Sequence, residues 1–263
     1  MKLEQVQLAI RPRNILECLD IAFLFCGRNW VGVLCASLVG IVPVFLLNLF
    51  LQRQFDPMHP YVGYLLLSME VPWATLLLTL YLGQVTFSKR FSSRRAVRDF
   101  GRTFPQMLCF QVLVRGLCML VCVAAPVVFL EMFFLNEIIL LEQTPLKNTW
   151  ARRTALNTGS LGNLIALRLI DLVILCVGMI SVTLLLRTIS ELWEDRFRFD
   201  PEAILDTAFE VDWQIQAAFW IVIVFLTVFR FVSYLDCRIR REGWDVELKL
   251  RAQARQHEQR EIA

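Results

Sequence analysis

The chain has 263 residues, of which 57% are hydrophobic and 19% charged, with a formal net charge of +3. A soluble domain carries nearer a quarter charged residues. Here the apolar surplus gathers in blocks of around twenty, the length a helix needs to cross a hydrocarbon core of about 30 Å. This patterning excludes an ordinary soluble enzyme or nucleic-acid-binding domain and predicts an all-α, polytopic bundle of about six transmembrane helices.

The N-terminal segment 1–29 carries Glu4, Glu17 and Asp20 beside Arg11, Arg13 and Arg28. Its apolar run 21–26 is too short for a signal core, so the first hydrophobic block is expected to stay as an uncleaved anchor. Residues 14–26 read as a helix lying along the membrane. Asn14 is placed to cap the first turn and Glu17 to return the bond. Ile15, Leu19, Ala22, Phe23 and Cys26 share one face, with Glu17 and Asp20 on the other.

The first span is predicted at 30–51, with Pro43 as a kink. The second is predicted at 64–87, interrupted by Glu70 and Pro72 and firmest over 73–87. Between it and the next, residues 93–104 place Val97, Phe100 and Phe104 in a narrow apolar stripe against Arg94, Arg95, Arg98 and Arg102. That is the pattern of an interfacial helix on an anionic leaflet, or simply of positively charged anchors. The 38 residues of 105–142 would form one helix roughly 57 Å long, nearly twice the bilayer core. Two spans, 105–124 and 126–142, with a turn near Ala124, Ala125 and Pro126, fit better. Further spans are predicted at 161–186 and 213–233. Between those two, the acidic loop 187–212 contains a helix-start signal at Asp200, Pro201 and Glu202; its acidic spacing matches no calcium loop. The basic tail 234–263 reads as a helix leaving the membrane over 234–255, with Arg238/Glu242 and Glu247/Arg251 as i,i+4 pairs and a bend at Gly243. The chain thus divides into a cytoplasmic segment 1–29, a six-span domain 30–233 and a cytoplasmic helix 234–263.

Charge placement orients the spans. Segments 1–29, 88–104, 143–158 and 234–263 together hold 20 Lys and Arg residues, whereas 52–63 and 187–212 hold 4. The positive-inside bias therefore puts both termini in the cytoplasm. Five spans would leave the basic tail outside.

Ionisable residues at membrane depth are functional candidates. They are Glu70, Arg115, Glu131, Glu137, Arg168, Asp171 and Arg230. Arg230 lies within snorkelling reach of the inner interface and Glu137 close to it, so both are set aside. The remaining candidates are Arg115, Glu131, Arg168, Asp171 and Glu70. Arg168 and Asp171 share a helix face and are expected to pair, and Arg115 with Glu131 would tie the 105–142 hairpin. Such pairs either pack the bundle or line a conduction path. On the cytoplasmic side, Arg94, Arg95, Arg98, Arg102, Arg238, Arg240 and Arg241 are the candidate contacts for anionic lipid or a partner.

The eight cysteines show no CxxC or Cys/His spacing, and the two histidines, His59 and His257, have no cysteine at ligand distance. No metal site or cofactor is expected. Walker, dinucleotide, HExxH and GxSxG motifs are lacking, and no catalytic residues are assigned.

Three stretches carry a resemblance: RPRNILECLDIAF (11–23), LNEIILLE (135–142) followed by WARR (150–153), and RIRREGWDVEL (238–248). They resemble the opening helix, the elbow between spans four and five, and the closing segment of planctomycete-type bacterial six-helix membrane proteins. These are similar to the membrane-domain family attached to some glycerophosphoryl diester phosphodiesterases. The resemblance covers roughly a sixth of the chain. It implies six helices with both ends inside and imports no activity, because that enzyme's catalytic domain has no counterpart here. The expected function is a non-enzymatic scaffold or accessory component of a bacterial envelope assembly, bound to the lipid bilayer and to a membrane-protein partner or a second copy, with no nucleic acid. The alternative is a small transporter or channel.

Overall fold

In a bilayer every backbone N–H and C=O must find a partner within the protein, which favours helices wherever the chain is apolar. The computed structural model describes residues 13–54, 60–87, 91–120, 134–157, 161–193 and 212–242, and no strand occurs among them. The order is α1 (Ile15–Arg28), α2 (Trp30–Gln54), α3 (Pro60–Ala74), α4 (Leu76–Phe87), α5 (Ser93–Met107), a π-helical stretch Leu108–Val114, α6 (Arg115–Leu120), short α7 (Leu135–Glu137) continuing in π geometry over Ile138–Glu142, α8 (Leu146–Asn157), α9 (Leu161–Trp193) and α10 (Trp213–Glu242). Four helical runs, Trp30–Gln54, Val62–Phe87, Gly162–Trp193 and Trp213–Arg241, are long and apolar enough to cross a membrane. The chain is an all-helical, membrane-embedded protein.

Several expectations change. Asn14 does precede α1 in extended backbone, but its side chain makes no capping bond; it lines a recess instead. The packed face of α1 turns on Cys18 and Ala22, while Phe23 is mostly exposed and meets Phe225 at 4.4 Å. Pro105 starts no new element. Helix α5 runs through it, and the chain stays helical to Leu120. The proline ring removes one bond, and the wider π turn that follows reorganises the ladder without breaking it. Helix α9 extends to Trp193, so Arg187 and Glu191 are helical rather than in an outer loop. The expected turn at 124–126, the Asp200–Glu202 signal, Gly243 and the Glu247/Arg251 pair lie outside the described residues.

Helix α2 packs through a row of small residues. Gly32, Ala36 and Gly40 repeat every four positions on one face. A Cβ at Gly32 would strike the Tyr81 ring, and one at Gly40 would strike the Ala74 carbonyl. The row therefore lets α2 lie directly on α3 and α4. Helix α10 is the axis: Val228, Phe229, Phe231, Val232 and Tyr234 are fully buried in one apolar cluster with Leu78, Leu82, Phe134 and Ile138. Helix α9 lies against α10, where Gly178 admits the Val222 side chain, but Leu169, Val173, Val177, Ile180 and Leu185 face outward.

The polar contacts separate into two ends. At one, Arg187 pairs with Asp212 at 3.4 Å and Gln214 donates to the Ser190 hydroxyl at 2.9 Å. The start of α1, the Glu142 turn, α8 and the end of α10 meet at the other.

Candidate functional site

Two carboxylates organise the end where α1, α8 and α10 converge. Glu142 ends the π-helical stretch, at a turn completed by Gln143 in left-handed backbone, φ 49°. Its Oε2 accepts Arg152 Nε at 2.5 Å and its Oε1 accepts Arg152 Nη2 at 2.9 Å, a bidentate fork. The same Oε1 accepts the Tyr234 hydroxyl at 2.6 Å, with Arg238 Nε at 3.5 Å. Two residues along α10 from Tyr234, the buried Asp236 accepts the Arg13 backbone N–H at 2.7 Å and Arg240 Nε at 2.8 Å. Arg240 also donates to the Arg13 carbonyl. Arg153 stacks over Trp150 at 3.9 Å. Residues 13–23, 135–142 with 150–153, and 238–242, remote in sequence, thus meet through Asp236 and Glu142. Neither acid was among the sequence candidates. Glu142 follows an apolar run and Asp236 lies on a predicted tail, so nothing local marked them; their value comes from donors on other helices.

Between α1, α9 and α10, next to Asp236, lies a recess of about 120 Å³. Its floor is Phe134, Leu164 and Leu167. Cys18 and Cys237 face it. Burial, with Asp236 adding to it, pushes the Cys18 thiol up to about 12, so it stays protonated at neutral pH and is no nucleophile.

Deeper in the bundle a second polar group forms. Arg168 Nη1 lies 3.5 Å from Asp171 Oδ2. Arg230 and Glu137 stand close enough to both to act on their charges. Glu137 is only 2% exposed, enclosed because the segment 135–142 threads inside the bundle. Its Oε2 and the Arg230 Nε have no hydrogen-bond partner among the described residues.

Arg115 serves a backbone need. Pro72 has no N–H, so the carbonyl four residues earlier, Ser68, loses its helical donor. Arg115 Nη2 donates to that carbonyl at 2.9 Å, and Nη1 reaches Gln111 Oε1 at 3.4 Å. Gln111 in turn donates to Asn136 Oδ1 at 2.6 Å. The expected partner, Glu131, lies outside the described residues. Glu70, the remaining candidate, accepts from Asn48 Nδ2 at 2.6 Å, which ties α3 to α2 away from the Arg168 group.

Arg94, Arg95, Arg98 and Arg102 all lie on the exposed face of α5. Arg98 approaches Asp99 at 3.9 Å. The apolar stripe divides: Phe100 packs on the Leu76, Leu80 and Met107 cluster and Phe104 meets Trp73 edge-on at 5.9 Å, while Val97 points outward among the arginines. Among the described residues no three His, Cys, Asp or Glu side chains gather to hold a metal. No family model, curated protein or solved structure matches the chain.

Proposed function

We propose that this chain is a non-enzymatic, six-span scaffold or accessory component of a bacterial envelope assembly, seated in the inner membrane with both termini in the cytoplasm. The observation that carries the reading is how the charges are used. Arg168 pairs with Asp171, Arg115 mends the Pro72 gap, and Glu142 holds three side chains together. The recess nearest Arg168 stops at Leu167 and is not lined by Arg115, Glu137, Arg168, Asp171 or Arg230. Charges that pair with each other build a frame; charges that serve a solute face water. The arginine face of α5 supplies the contact with anionic lipid or a partner. The likeness of 11–23, 135–142 with 150–153, and 238–248 to the membrane-domain family supports the same topology, because the described parts of those stretches sit together at the arginine-rich end.

Co-purification from native membranes in mild detergent tests the reading. A stable partner lost on replacing Arg94, Arg95, Arg98 and Arg102 with Gln supports it. Solute flux in proteoliposomes that Arg115→Leu abolishes while leaving the fold intact would overturn it in favour of a transporter. That second reading draws on Glu137 and Asp171, buried carboxylates each with an oxygen that has no hydrogen-bond partner among the described residues. Labelling decides orientation: Arg94→Cys or Leu250→Cys should resist a membrane-impermeant thiol reagent in whole cells, and modification from outside would reverse the topology.

A further inference from the structure

The recess between α1, α9 and α10 holds a polar group that the fold leaves unanswered. Ser233 is 2% exposed and lines the recess, yet its hydroxyl has no hydrogen-bond partner among the described residues. A helical serine in an apolar bundle ordinarily bonds the carbonyl a turn earlier, as Thr227 does to Ile223 at 2.7 Å. A buried hydroxyl left without a partner is costly, so its place beside a cavity points to something that enters.

The rim indicates what. Arg240 and Arg241 stand at the mouth with the amides of Asn14 and Asn163. Arg240 spends Nε on Asp236 and Nη2 on the Arg13 carbonyl, which leaves the two donors of Nη1 uncommitted among the described residues. Asp236, the acid in the wall, is already answered by Arg240 and the Arg13 N–H. Leu16 and Ile165, next in sequence to the lining residues Ile15 and Leu164, are exposed apolar side chains, the kind of surface that meets lipid. Its volume of about 120 Å³ is roughly that of four waters, room for a phosphate or a small alcohol but not an acyl chain.

We propose that this recess is a phospholipid headgroup site: the phosphodiester lies at the rim on Arg240 and Arg241, the headgroup hydroxyl reaches in to Ser233, and the acyl chains stay outside along α9. The site needs the chain to be membrane-embedded but not the scaffold role, so loss of a protein partner and loss of bound lipid are separate outcomes.

Native mass spectrometry of the full chain in detergent, titrated with phosphatidylglycerol, reads the site directly. One lipid is expected to remain bound per chain. Ser233→Leu, which fills the recess, and Asn163→Leu, which closes its exposed rim, should each weaken retention at least tenfold, whereas Arg53→Gln at the end of α2 should not change it. Asn163→Leu keeps the test decisive should Ser233→Leu fail to fold. No retained lipid in the parent chain, or equal retention by Asn163→Leu, overturns the proposal. So does equal protection against thermal unfolding by soluble glycerol phosphate, which would make the ligand a free phosphate ester rather than a lipid.

Discussion

The carboxylates at the arginine-rich end and those deeper in the bundle live by different rules. Glu142 is gripped by a fork from Arg152, by Tyr234 and by Arg238. Glu137, only five positions earlier in the same helical segment, is more deeply enclosed but has an oxygen with no hydrogen-bond partner among the described residues. The first acid is a structural bolt whose donors come from α8 and α10. The second is a carboxyl enclosed in the bundle beside Arg168 and Arg230. Breaking a satisfied buried network strands several groups at once, while replacing a carboxyl that makes few hydrogen bonds strands few.

That contrast is open to direct attack. Glu142→Ala should produce the largest effect, about 3–5 kcal/mol of lost stability, read as unfolding in detergent followed by circular dichroism; a loss below about 1 kcal/mol would mean the fork contributes nothing. Arg115→Leu comes next, at about 1–3 kcal/mol for the orphaned Ser68 carbonyl. Pro72→Ala restores the missing N–H, so the same arginine change should cost less in that background, with a coupling of at least about 0.5 kcal/mol in the double-mutant cycle. Additive costs would separate Arg115 from the proline. Glu137→Gln should have the smallest effect, under about 1 kcal/mol in either direction. A loss as large as that of Glu142→Ala would erase the distinction between the two acids.

Much of this arrangement was legible in sequence, and the failures are instructive. The apolar blocks gave α2, α3 with α4, α9 and α10, because length against bilayer thickness is a one-dimensional test. The Arg168 and Asp171 pair follows from spacing on one helix. The Pro105 boundary failed because α5 runs through the proline: the ring removes one bond, and the π turn that follows takes up the mismatch. The Gly32, Ala36 and Gly40 row was readable but says nothing alone about which helix it meets. Hydropathy also misjudged rank: α9 is the more hydropathic at 2.7 against 2.2 for α10, yet 6% of its central window is buried against 67%. A side chain facing lipid and one facing protein need the same apolar character, so composition does not separate rim from axis.

What the sequence by itself determined is that this chain is helical and apolar enough for a membrane, and that its basic residues collect in a few segments. Both follow from backbone bonding and charge transfer, which act on each segment separately. Only the tertiary structure decided that Glu142 and Asp236 hold the arginine-rich end together, that Arg115 answers a carbonyl freed by Pro72, and that Ser233 faces a recess. Each of those depends on a donor or acceptor brought by another helix, and one strand of sequence carries no record of which helix that is.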